Sequence, residues 1–264
     1  MMTNNGINRL LGIMARLRDP EKGCNWDRQQ TFATIAPYTV EEAYEVSDAI
    51  ARNDMNSLKD ECGDLLFQVV FYAQMAKEAG LFDMDDIANA ISNKLERRHP
   101  HIFLDDNASI PAEQTKRLWE DQKVQERKEK GHESVLDDVP HALPPMMRAK
   151  KLQARAARIG FDWPSALPIF DKVQEELAEL RAEVEKGAPH ARLEDELGDV
   201  LFVLSNLSRH LQVDTDSALR STSAKFERRF RFVEKKALEA GKSLETMPMT
   251  EMDALWDEAK KQGF

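Results

Sequence analysis

Leu65-Leu66-Phe67-Gln68-Val69-Val70-Phe71-Tyr72 decides the fold. By composition alone this run suits a buried strand as well as a buried helix. It continues without a turn residue through Ala73, Met75 and Ala76 to Gly80. That is long for a strand, and a glycine at that point is a common helix stop. The segment 57–79 is therefore read as a buried helix. Elsewhere the chain has few hairpin signals, and its apolar residues recur mostly at i, i+3 and i+4, which predicts an all-α protein. Helices are expected at about 7–18, 38–52, 57–79, 84–98 and 112–129, then 145–158, 168–186, 190–211, 215–240 and 250–261.

The flanks of the deciding run recur. Glu61-Cys62-Gly63-Asp64-Leu65-Leu66-Phe67 is answered by Glu196-Leu197-Gly198-Asp199-Val200-Leu201-Phe202. Ahead of it, Glu41-Glu42-Ala43-Tyr44-Glu45 is answered by Glu175-Glu176-Leu177-Ala178-Glu179. Farther on, Lys94-Leu95-Glu96-Arg97-Arg98 matches Lys225-Phe226-Glu227-Arg228-Arg229, and Leu118-Trp119-Glu120-Asp121-Gln122-Lys123 matches Leu255-Trp256-Asp257-Glu258-Ala259-Lys260. Upstream, Gly23-Cys24-Asn25-Trp26 echoes Gly160-Phe161-Asp162-Trp163. Blocks in one order, twice, mean two copies of one helical module of four or five helices. Between them the apolar content falls, Gln122 to Lys130 is charged, and Pro140, Pro144 and Pro145 interrupt helix continuation. The expected organisation is a first module over 1–104, a linker over 105–145 that includes the Trp119 block, and a second module over 146–264.

Composition narrows the function classes. The 264 residues are 42% apolar, enough for two small cores. Lys plus Arg number 37 against 47 Asp plus Glu, a formal charge of -10 that disfavours nucleic acid as a partner. Cys24 and Cys62 are too few for a disulfide framework and read as reduced thiols, with Cys62 a small core residue. No window approaches the roughly 20 apolar residues that span a bilayer, and the start has no signal-peptide core. A cytoplasmic protein without a membrane partner is expected.

On a helix, residues three apart share a face, so Glu176 and Glu179 point together, as do Glu196 and Asp199. If the two helices are antiparallel neighbours, four carboxylates converge. The second helix is apolar nearly all round after Asp199, which suggests a central position where unpaired carboxylates are costly. A divalent cation removes that cost. An all-oxygen set without His or Cys suits Mg²⁺, with Mn²⁺ as a substitute, rather than zinc or di-iron. The alternative is a solvated acidic helix face, and Thr39-x-x-Glu42 also satisfies the capping-box pattern. Capping does not explain the second copy, where that pattern shifts to Asp171 and Gln174 and leaves Glu176 free. The equivalent first-copy set is Glu42, Glu45, Glu61 and Asp64, with Lys94 and Arg98, a second possible site. Lys225 and Arg229 form one stripe that can face phosphate oxygens left uncovered by a metal, or simply solvent. Trp256 with Lys260 offers a stacking plane beside a cation, or a core Trp beside a solvated Lys. There is no Gly-rich phosphate loop, so phosphate binding would be metal-led.

At these residues the sequence resembles the MazG family, marked by Glu-Glu-x-x-Glu followed by Glu-x-x-Asp. The resemblance includes Cys24-Asn25-Trp26-Asp27 with Gln30-Thr31, the run Arg97-Arg98-His99-Pro100-His101-Ile102-Phe103, and Ser134-Val135-Leu136-Asp137-Asp138-Val139-Pro140. The usual Cys-Pro-Trp-Asp has Asn25 in place of Pro, and Ala33 stands where a His often follows the Gln-Thr pair. The resemblance implies tandem all-α MazG-like modules that hydrolyse nucleoside triphosphates to monophosphate and pyrophosphate, acting as a homodimer. It implies Mg²⁺ on Glu176, Glu179, Glu196 and Asp199, and nucleotide contacts from Lys172, Arg192, Lys225, Arg229, Trp256 and Lys260. Glu175, next to the ligands but off their face, is the candidate for orienting the attacking water. Rival readings are a narrower all-α pyrophosphatase such as a dUTP hydrolase, and a non-catalytic helical scaffold. Lys172 and Arg192 are answered in the first copy by Tyr38 and Ser57, which points to the second module as the active one.

Overall fold

The computed structural model describes residues 6–103, 111, 118, 119, 122, 124–126, 129 and 131–264. Most of the helix expected at 112–129, including Glu120, Asp121 and Lys123 of the Trp119 block, lies outside the described residues. The regular elements among the described residues are all helices, with no strand. The chain divides into two compact units, Met1–Lys123 and Val124–Phe264.

The first unit contains α1 (Gly6–Leu17), α2 (Asn25–Gln29), α3 (Phe32–Ala51), α4 (Met55–Glu78), α5 (Met84–Arg98) and the single turn α6 (Pro100–Phe103). The deciding run lies inside α4, and its helical period puts Val70, Phe71, Ala73, Met75 and Ala76 on the buried side. Phe71 and Val70 join Met14 of α1 and Ile35 of α3 in the core, with Leu10, Leu11 and Met84 packed around them. Helices α3 and α4 form an antiparallel hairpin. Its short turn places Asn53 at positive φ, and the Asp54 carboxylate caps α4 by accepting from the backbone N–H of Asn56 and Ser57. Between α1 and α2 the chain folds tightly enough that a Cβ on Gly23 would lie 2.4 Å from the Leu17 carbonyl oxygen, so only glycine fits. Arg18 clasps this corner. It donates to both carboxylate oxygens of Glu78 and to the carbonyls of Asp27 and Gln30, with its guanidinium over the Phe71 ring.

The second unit contains α7 (Pro145–Ala157), α8 (Leu167–Glu185), α9 (His190–His210), α10 (Thr215–Glu239) and α11 (Met249–Lys261). The α8–α9 hairpin turns at Gly187, which takes positive φ. Ile169 of α8 with Val203 and Leu207 of α9 forms the core, and Trp163 packs on it from the preceding loop. Helix α7 is fixed to α9 by polar bonds: Gln153 Nε2 donates to the Phe202 carbonyl at 2.7 Å, and Ser205 Oγ to the Met146 carbonyl at 3.2 Å. Arg209 and His210 at the end of α9 both hold Asp162, tying down the loop that leads into α8.

Several details differ from the sequence reading. Helix α3 starts at Phe32, ahead of Pro37, because Thr31 and Thr34 make the capping box and the proline is absorbed within the helix. Thr39 is therefore no cap; its hydroxyl meets the Tyr72 hydroxyl at 2.8 Å. Asp171 and Gln174 likewise lie inside α8, which begins at Leu167. Cys62 is exposed rather than a core residue. Helix α9 is not central all round: Val200, Val203 and Leu207 are buried, whereas Leu197, Leu201, Phe202 and Leu204 are open to solvent.

Candidate active site

The acids project from the paired helices of each unit. In the second unit, α8 carries Glu175, Glu176 and Glu179, and α9 carries Glu196 and Asp199. Because the helices run antiparallel, one turn of each faces the other, and carboxylate oxygens of Glu176, Glu196 and Asp199 lie within 4.8 Å of one another. Glu176 and Glu196 are buried and Asp199 is exposed. Glu179 stands outside that group of three but feels it. Partial burial, then the charges of Glu176 and Glu196, push its carboxyl above the ordinary range. Glu175 is exposed and stands outside the group of three. The chemistry of this donor set, oxygen only and partly buried, fits a hard divalent cation.

The first unit assembles a different trio. Glu42 and Glu45 of α3 and Glu61 of α4 have oxygens within 4.8 Å of one another, whereas Asp64 stands outside the group. Partial burial followed by Asp64, Glu45, Glu41 and Glu61 raises the Glu42 carboxyl. Burial followed by the charge of Glu45 and a hydrogen bond with it raises Glu61. Arg52, paired with Asp48, lies within coulombic reach of Glu61.

The second unit does supply cations, in a manner the sequence reading missed. Lys172 Nζ lies 2.8 Å from Glu176 Oε1 and 2.9 Å from Glu175 Oε1. Arg192 bonds Glu196 Oε1 through one nitrogen and Asp195 through the other at 2.7 Å. These partners hold the Lys172 ammonium well above its usual range, hydrogen bonding to Glu176 being the largest cause. The i, i+4 spacing of each cation before its acid was the available signal.

The remaining nucleotide-contact candidates gather on α10 and α11. The Arg229 guanidinium sits over the Trp256 ring at 5.7 Å, and Phe226 packs on the same ring at 5.3 Å. Lys225 is exposed on α10, and Lys260 is exposed and paired with Asp257 at 3.0 Å. Among the described residues no hydrogen bond or ion pair joins this group to the acids. In the first unit, Lys94 is exposed and Arg98 half-buried on α5, and Trp119 packs edge-on against His99 at 4.8 Å.

A family model described as the MazG nucleotide pyrophosphohydrolase domain matches the chain twice, over residues 30–103 and 166–233. Each match contains one acidic set and its Lys and Arg pair, and neither reaches the Trp256 block. The chain is 53% identical over 259 residues to the nucleoside triphosphate pyrophosphohydrolase of Escherichia coli (strain K12), covering 98% of each chain. It is 41% identical over 254 residues to the nucleoside triphosphate pyrophosphohydrolase/pyrophosphatase MazG of Thermotoga maritima, covering 96% of this chain and 95% of that one. With the acid pairs in register in both units and the likeness extending over nearly the whole length, the chain belongs to the MazG family.

Proposed function

We propose that this protein hydrolyses nucleoside triphosphates to nucleoside monophosphate and pyrophosphate, with Mg²⁺, or Mn²⁺ in its place, held by Glu176, Glu179, Glu196 and Asp199. The observation that carries the reading is the convergence of Glu176, Glu196 and Asp199 oxygens within 4.8 Å, two of them on buried side chains. Three carboxylates this close, two of them buried, carry more negative charge than Lys172 and Arg192 offset, and a divalent cation among them would balance it. When bound, a divalent ion supplies charge against the triphosphate and makes water a better nucleophile at the α-phosphorus. The chain's own residues do the rest. Lys172, Arg192, Lys225, Arg229 and Lys260 bind phosphate oxygens, Trp256 gives the base a stacking surface, and Glu175 orients the attacking water.

The domain reading is two MazG-like modules over 1–104 and 146–264 joined by 105–145, acting in the cytoplasm, with the second module the active one. The protein works as a homodimer. Leu177, Leu197, Leu201 and Phe202 are exposed on the two helices that carry the acids, and among the described residues the cations of α10 and α11 make no bond to those acids. A second copy covering that surface would exclude water from the site.

The test is pyrophosphate release from a panel of nucleoside triphosphates, dUTP included, with Mg²⁺ and with excess chelator. Release from several nucleotides that stops in chelator supports the reading. Release from dUTP alone favours the narrower pyrophosphatase, and none from any nucleotide leaves a scaffold. Light scattering should give more than the 30.1 kDa of one chain; a mass equal to it refutes the dimer.

A further inference from the structure

The carboxylates proposed as metal ligands already hold cations from their own helices. Lys172 is on Glu176, and Arg192 is on Glu196. The acid side chains keep only 7% and 9% of their surface, whereas Lys172 and Arg192 keep 32% and 50%. Each pair therefore joins a buried acid to a cation whose head is at the rim. The heads sit on flexible stems and can swing outward without any backbone movement. Their second partners, Glu175 and Asp195, are exposed and give each head a place to rest after it leaves the buried acid.

We propose that Lys172 and Arg192 are exchangeable counter-ions of the second-unit acids: an entering metal takes Glu176 and Glu196 from them, and the released cations turn to the triphosphate. This rests on the pyrophosphohydrolase reading above. The charges argue for the exchange. Glu176, Glu179, Glu196 and Asp199 carry four negative charges when ionised, and the two cations offset half. A bare divalent ion must therefore break two ion pairs to gain its ligands. An ion arriving with a triphosphate offers the displaced cations new anionic partners. Metal and nucleotide then strengthen each other's binding by the same factor. In the first unit Tyr38 and Ser57 stand at the corresponding places, so metal there displaces nothing and gains little from nucleotide.

The experiment uses the full chain carrying Glu42→Gln and Glu45→Gln, so that only the second-unit acids bind metal. Mn²⁺ is titrated calorimetrically, alone and with an α,β-imido nucleoside triphosphate. The expected result is Mn²⁺ binding at least about tenfold tighter with the analogue. Adding Lys172→Met and Arg192→Met should tighten binding of Mn²⁺ alone by about tenfold and remove most of the enhancement, while Lys172→Arg keeps it. Separately, in the unsubstituted protein, the ¹⁵N signals of the Arg192 guanidinium should shift when Mg²⁺ is added without nucleotide, a response that loss of nearby charge alone would not produce. Unchanged or weaker Mn²⁺ binding in the double methionine variant overturns the exchange, as do Arg192 signals unmoved at saturating Mg²⁺. Neither readout requires turnover. Failure of pyrophosphate release with these responses intact would sink the functional reading and leave the exchange standing.

Discussion

Glu42→Gln should stabilise the protein in excess chelator. Glu42 has two carboxylate neighbours, Glu45 and Glu61, with oxygens within 4.8 Å, and after desolvation the charges that raise it are those of Asp64, Glu45, Glu41 and Glu61. Two unit charges at that distance repel by roughly 1 kcal/mol under water-like screening, and more at lower dielectric. Two such neighbours, less salt screening and partial proton uptake, leave about 1–2 kcal/mol at low ionic strength. Gln keeps the size of the side chain and nearly the same helix propensity, so the charge is the main change. The sign with pH follows from the raised Glu42 carboxyl. A group whose folded pKa lies above its unfolded value favours the folded state below about 4.5 and loses that contribution as pH rises through the folded value. The advantage of Gln should therefore be small near pH 4.5 and full by pH 8. Mg²⁺ should reverse it, because the variant lacks a ligand. Glu176→Gln, which removes one of the two carboxylates that hold Lys172, should instead be neutral or destabilising in chelator. Urea unfolding at pH 4.5 and pH 8, with chelator and with Mg²⁺, reads all of this. A lower midpoint for Glu42→Gln at pH 8 in chelator refutes the reasoning.

Further outcomes follow from other parts of the structure. Glu176→Gln with Glu179→Gln should abolish pyrophosphate release and Glu42→Gln with Glu45→Gln should spare most of it; the opposite pattern transfers the activity to the first unit. Arg18→Met should cost about 2 kcal/mol in urea unfolding, since it removes the ion pair with Glu78, which keeps only Gln74, and the side-chain donor to the Asp27 and Gln30 carbonyls; a loss under about 0.5 kcal/mol would show the clasp to be incidental. Burial pushes the Asp162 carboxyl up, but hydrogen bonds from His210 and Arg209 outweigh it and hold the group below 3.8. Its contribution is thus present above about pH 3.8 and lost below, so Asp162→Asn should lower the melting temperature at pH 6 and converge on the unsubstituted protein as the pH falls toward 3. A constant difference across that range would contradict the assignment.

The fold was legible because helices leave a periodic record. Met84–Arg98 matches the expected bounds, and the other long helices differ from theirs by a few residues at most, apart from the start of α3. There the helix was expected from about 38, whereas a proline costs a helix only one bond and a local clash, so α3 runs through Pro37 from a start fixed by Thr31 with Thr34. Which acids share a helix face was also readable, since that depends on local spacing. Which three of four meet across the hairpin was not. The first unit gathers Glu45 and leaves Asp64 aside, the second gathers Asp199 and leaves Glu179 aside, and that choice depends on rotamers and small axial shifts. Exposure was the least legible property. Leu201 and Phe202 read as core, yet a chain records only that a residue is apolar, not whether its cover lies in the same molecule.

The pairing of Lys172 with Glu176 and of Arg192 with Glu196 spans a single helical turn. Such a contact forms as soon as the turn forms, with no help from the rest of the bundle. As the chain leaves the ribosome, the acidic helices of the second unit thus carry their own neutralising charge and can coil while still solvated. In the first unit Glu42 and Glu45 share a face of α3 with Tyr38, not a cation, one turn ahead, and Glu61 adds its charge when α3 and α4 close on each other. The first half of the protein, although made first, is then the half whose docking depends on the cation content and acidity of its surroundings.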